Sequence, residues 1–206
     1  QGLTSAVYIA ASILFILSLG GLSHQESARQ GNLFGIAGMA LAIGATLLAF
    51  TPTSYGLVLG VMAIGGAAGS TLAARVEMTA MPQLVAILHS FVGLAAVLVG
   101  FASVLEPAGH FSGAEKVVHD IEVFLGVLIG AVTFTGSVAA FGKLQGILSS
   151  RPLTLPGRHL INLAIGLACI WLGVLFVGAE FPAAGIWPLL IMTGLAFIFG
   201  LHMVLA

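Results

Sequence analysis

Apolar residues run through this chain in long unbroken stretches, without the polar–apolar alternation over about ten positions that marks a membrane barrel strand. Seven stretches are long enough to cross a bilayer, which takes about 20 apolar residues. They run Leu3–Leu22, Leu33–Phe50, Tyr55–Ala73, Pro82–Leu105, Ile121–Phe141, Leu160–Gly178 and Gly185–Leu205. Helices and closed barrels are the only spanning structures, because lipid offers no partner for an open backbone group. The pattern therefore predicts an all-α integral membrane protein, a polytopic bundle of about seven spans forming a single domain over 1–206.

Composition sharpens this picture. Of 206 residues 59% are hydrophobic and only 6% are charged, against about 25% charged in a soluble domain. The net charge of −1 gives no sign of nucleic-acid binding. The single cysteine, Cys169, lies in an apolar run and reads as a small buried hydrophobe. No secretory leader with a charged start is visible. Arg29, Arg75, Lys143, Arg151 and Arg158 fall in the connections after spans one, three and five, and only Lys116 falls on the other side. By the positive-inside rule the N-terminus lies outside and Ala206 lies on the cytoplasmic side. The sequence stops at the end of a span, as a fragment would. It has no Gly-rich dinucleotide fingerprint following a strand.

The polar groups inside the spans carry the candidate chemistry. His89 lies seven residues past Pro82, roughly 10 Å along a helix. An ionisable group at that depth is costly and is a functional candidate by default, and histidine titrates nearest neutral pH. Ala86, His89, Gly93, Ala96 and Gly100 step by three and four and share one face. A face of small residues marks close helix contact, so His89 is expected to point into the bundle. Its residue type and depth suit a proton relay. They also suit a neutral ring hydrogen-bonded to a neighbouring helix.

The fifth span repeats the pattern with Glu122, Gly126, Gly130, Thr133 and Ser137. Such a face could pack on the His89 face and carry a chain of waters, since each hydroxyl both donates and accepts. The plainer alternative is packing, with Thr133 and Ser137 bonded to their own helix and Glu122 solvated at the interface. Asn162, with Gly166 and Gly173, is expected to form an interhelical hydrogen bond. His24, His110, His119 and His159 read as loop or span-end residues in solvent, and His202 as a snorkelling or capping group near the end of the last span. Only His89 reads as deep, which disfavours haem, and no cluster of His, Cys, Asp or Glu suggests a metal. The connections 23–32, 74–82 and 151–158 are short and offer a surface for a soluble domain, although topology-setting charge accounts for their arginines as well.

The chain resembles the membrane part of the beta subunit of proton-translocating NAD(P) transhydrogenase. The resemblance rests on Leu22-Ser23 with Glu26 and Ser27–Asn32, on Phe34–Ala40, and on Val76–Thr79 with Met81-Pro82. It continues through Leu84–Phe101, Glu122–Gly126, Gly130–Val138, Phe141–Leu144, Leu155-Pro156 and Arg158-His159, nearly end to end. It implies a membrane domain that conducts protons while hydride passes between NADH and NADP⁺ in two soluble domains outside this chain. It makes His89 the central channel histidine, with Glu122 and Ser137 channel-associated and Thr133 a weaker candidate. NAD(H) and NADP(H) would be bound by those other domains and not by these residues. The implied partners are an alpha subunit, the NADP-binding domain of the beta subunit, the lipid bilayer and a second copy of the whole enzyme. The implied location is a bacterial inner membrane. Composition alone leaves two other classes open, a secondary transporter or ion channel and a passive anchor for a redox complex. No convincing internal repeat of the transporter kind is found.

Overall fold

The computed structural model describes residues 2–49, 55–105, 112–153, 156–179 and 182–206. Seven α-helices occur among them: α1 Gly2–Leu22, α2 Ala28–Ala49, α3 Tyr55–Arg75, α4 Met81–Leu105, α5 Ala114–Leu144, α6 Arg158–Val177 and α7 Pro182–Leu205. A single 3₁₀ turn, Met78–Ala80, leads into α4. All seven are long and apolar enough to cross a membrane. The polytopic helical bundle read from the apolar runs is therefore what the chain forms.

Helix ends differ from the hydropathy reading where charge and helix propensity disagree. The fifth span was bounded by its apolar residues at Ile121–Phe141, whereas α5 begins at Ala114. Its first turns carry Glu115, Lys116, His119 and Asp120, which end an apolar run but not a helix. Lys116 pairs with Asp120 one turn on at 2.6 Å and donates to the Ala179 carbonyl at 3.0 Å, a spacing that supports a helix. The other end of α5 stops at Gly146, whose φ of +70° suits glycine. Gly146 N donates to the Lys143 carbonyl and Ile147 N to the Gly142 carbonyl, closing the orphan carbonyls in the Schellman pattern. In α7, Pro182 opens the helix where its missing N–H costs nothing.

Contacts divide the chain into two compact units, Gln1–Thr71 and Leu72–Ala206. In the first, α1 and α2 form a hairpin whose backbones nearly touch at Gly21 and Gly31. A Cβ on Gly31 would lie 2.7 Å from Leu22 N. The Ser27 hydroxyl caps the turn by donating to the Gly21 carbonyl at 2.8 Å, and the hydroxyls of Tyr8 and Thr46 join the far ends at 2.9 Å. None of the described residues of α3 is buried.

In the second unit α4 packs on α5, α5 on α7 and α7 on α6. The core comprises Val97, Val123, Val127, Ala131, Cys169, Leu172, Phe176, Leu189, Met192 and Ala196. Cys169 is buried among these apolar side chains, as its surroundings in sequence suggested.

Candidate proton-path site

The α4–α5 contact is made of glycines. A Cβ on Gly93 would fall 2.6 Å from the Gly130 carbonyl oxygen and 2.7 Å from Phe134 N, and one on Gly130 would fall 2.7 Å from the Gly93 oxygen and 2.9 Å from Ala96 Cβ. Gly100 approaches the Val127 side chain, and Gln83 Nε2 donates to the Leu144 carbonyl at 3.3 Å. These contacts fix an antiparallel register in which His89 is level with about Ser137.

The small-residue face of α4 does meet a neighbour, but its centre is Gly93, Val97 and Gly100, with Ser90 buried beside them at 1% exposure. His89 lies at the edge of that arc and is exposed. The expectation that it points into the bundle is corrected here. A stripe of five residues at three-and-four spacing spans a wide arc, and the closest approach falls on the residues without side chains.

The α5 stripe divides in the same way. Gly130 packs on α4, while a Cβ at Gly126 would meet nothing within 4 Å and Glu122 is exposed. Thr133 and Ser137 are half-buried. Thr133 turns toward a crevice of about 300 Å³ that it shares with Gly166, Cys169 and Phe199. The stripe as a whole therefore does not pack against α4. It lines a flank beside the α4 contact, with His89 level with Ser137. None of the four candidates makes a side-chain hydrogen bond to a described residue. In particular, Thr133 and Ser137 are not tied to their own helix.

Other polar residues are more engaged. Thr135, two positions from Thr133 and off the stripe, donates to the Phe197 carbonyl of α7 at 2.8 Å. Gly200 lies directly against Val132 and Thr135. Asn162 forms the interhelical bond expected of it, and its partner is His202, with Nδ1 2.7 Å from Asn162 Oδ1. His202 was read as snorkelling or capping, yet its Nε2 is buried without a partner among the described residues. His119 was read as a solvated span-end residue. It lies inside α5, half-buried, with Nε2 3.1 Å from the Ser103 hydroxyl of α4. His24 and His159 are exposed as expected, and His110 lies outside the described residues.

The same register extends across the unit. Gly136 faces Gly200 and Val204 of α7, and Gly173 of α6 faces Phe124 of α5. Counting along the helices at about 1.5 Å per residue, His89, Ser137, Asn162 and His202 fall at one level, one from each of α4, α5, α6 and α7. Sequence reading put His89 alone at depth. His202 matches its level and is the more enclosed of the two.

Seven helices among the described residues, each long and apolar enough to cross a bilayer, define a multi-pass membrane protein. Comparison with known proteins makes the class specific. The model of the NAD(P) transhydrogenase beta subunit family matches residues 4–206, and the chain belongs to that family. It is 49% identical over 162 residues to the NAD(P) transhydrogenase subunit beta of Rhodospirillum rubrum, covering 77% of this chain and 35% of that protein. A protein of the same name from a particular strain of that species matches with the same figures. The chain thus spans about a third of the length of these curated relatives.

Proposed function

We propose that this chain is the proton-conducting membrane domain of a transhydrogenase, moving protons across a bacterial inner membrane as hydride passes from NADH to NADP⁺. The hydride chemistry belongs to soluble domains outside these residues, which bind NAD(H) and NADP(H). The observation that carries the reading is the polar level shared by α4–α7, in a chain of this family. His89 is the central relay, Ser137 its neighbour at the same level, and Glu122 an acid near the other end of α5, with Thr133 a weaker contributor. In this reading the open flank bearing His89 is closed by further membrane helices of the assembled enzyme, which includes an alpha subunit and pairs as a dimer.

The assembled enzyme in sealed vesicles tests this. Hydride transfer between NADPH and an NAD analogue should change the internal pH, and the change should vanish with a proton uncoupler. Transfer at full rate without any pH change overturns the proposal. The division of labour has its own test. Calorimetry of residues 1–206 with NADPH should show no saturable binding, because no phosphate cradle of backbone N–H groups is evident in the sequence. Micromolar binding would move nucleotide recognition into this domain.

The orientation follows from the five-to-one asymmetry of loop cations. A cysteine placed at Ser149, in the exposed connection after α5, should react with an impermeant maleimide only from the cytoplasmic side. Labelling from outside sealed cells reverses the topology.

A further inference from the structure

A polar pair of the second unit lies away from the His89 flank. His202 of α7 and Asn162 of α6 meet at 2.7 Å through Nδ1 and Oδ1. An amide oxygen only accepts, so Nδ1 carries the hydrogen and donates. This geometry matches the Nδ1–H tautomer. In the neutral ring Nε2 then bears the lone pair, and this atom is buried with no partner among the described residues. Buried polar atoms in native proteins almost always have a partner, and an internal water is the usual one where the protein offers none. An imidazole with one nitrogen tied to an acceptor and a lone pair left free on the other has an atom to which a proton can bond.

We propose that His202 is a second proton-binding residue of the membrane domain, held in register by Asn162 and level with His89 on α4. The proposal rests on the proton-conducting reading of this domain and adds a residue to it. A proton arriving as hydronium bonds to the Nε2 lone pair and leaves a neutral water. The ring becomes a cation with both nitrogens protonated while Nδ1–H stays on Asn162. Release returns the proton to a water on Nε2. No other atom changes its bonding.

The charges around the pair are cationic. Lys143 at the end of α5 donates to the Val204 carbonyl, and Arg158 at the start of α6 donates to the Ala206 carbonyl at 3.0 Å. Arg151 in the preceding connection and His159 in the first turn of α6 are exposed, and α4 contributes His89. Among the described residues the acids of α5 lie elsewhere. Glu115, Asp120 and Glu122 are in the first third of α5, toward the opposite end, while Glu77, ahead of α4 at the same end as these cations, is exposed. Asn162 is therefore the group through which the ring's behaviour can be altered without touching the ring.

Two substitutions in the assembled, vesicle-reconstituted enzyme separate a proton site from a structural lock. In His202→Asn the new amide nitrogen takes the place of Nδ1 and keeps the bond to Asn162, while Nε2 is lost. Proton-coupled hydride transfer should fall about 100-fold or more with assembly intact, within the range for loss of a positioned acid–base group. In Asn162→Asp a carboxylate replaces the amide and favours the cationic ring, so the pH profile of the coupled rate should move about one unit to the alkaline side. Histidine-selective ¹⁵N spectra of the same enzyme, assigned with His202→Asn, should show the Nδ1–H tautomer and a titration of Nε2. That readout does not depend on pumping. If His202→Asn turns over normally, or if the ring stays in the Nε2–H form at every pH, His202 is a packing residue. Either result leaves the His89 reading standing, because that reading fails only if the enzyme moves no protons or does so normally without His89.

Discussion

Replacing His89 by alanine should leave the membrane domain folded and depress proton-coupled hydride transfer in the assembled enzyme by about 100-fold or more. The two halves of this expectation come from different observations. His89 is exposed at the edge of the α4 contact and hydrogen-bonds to none of the described residues. Its removal therefore costs the bundle no buried contact, and a substitution of that kind stays within about 0.5 kcal/mol. The loss of rate follows if the imidazole is an obligate acid–base relay, since a positioned group of this sort supplies about 10²–10⁴ in rate. The demand on it is modest. One charge moved across 100 mV involves about 2.3 kcal/mol, which sets the scale of the work a relay at this level performs. Both the hydride rate and vesicle acidification are to be measured. Normal pumping in the alanine variant would leave His89 as a surface residue of the bundle.

The second large effect concerns two glycines that sequence places in equivalent stripes. Gly93→Ala should destabilise the domain, and Gly126→Ala should not. The new Cβ at 93 would lie 2.6 Å and 2.7 Å from main-chain atoms of α5, and neither can rotate away. The helices must separate, at about 1–3 kcal/mol. At 126 a Cβ meets nothing within 4 Å, and the gain in helix propensity makes the change neutral to slightly favourable. Thermal unfolding of the detergent-solubilised domain should show a fall on the order of 5 °C for the first variant and none for the second. Equal behaviour of the two would mean that the α4–α5 interface is not glycine-to-glycine.

Seven spans were legible because lipid imposes one rule on every residue of a helix, and an unbroken apolar run reports it directly. Helix ends were less legible where polar residues sit inside helices. Glu115, Lys116 and Asp120 end the run but extend α5, because hydropathy is blind to pairing one turn apart. The candidate site was legible in residue type and depth more than in direction. Three-and-four spacing correctly put Gly93 and Gly130 at contacts, but it could not say which edge of the stripe meets the neighbour, and His89 and Glu122 came to lie on the open edge. Asn162 announced an interhelical bond by being an amide in an apolar run. Its partner His202 was not readable, because the pairing depends on how far α6 and α7 are displaced along one another. Thr135 was missed because it lies off the glycine stripe, on the side of α5 that faces α7.

The glycine contacts on two sides of α5 also bear on mechanics. Gly130 meets Gly93 on one side, and on the other Gly200 of α7 lies against the backbone of Val132. Where backbones touch there are no side chains to flip from one groove to the next, which is how packed helices ordinarily ratchet. A slide of one turn would drive Val97 or Phe134 into space sized for a hydrogen atom. Helices α4, α5 and α7 therefore behave as a single stiff strut. Any gating stroke in the enzyme must tilt this strut as a whole, or be made by water, by side chains on its open flank and by whatever leans against it.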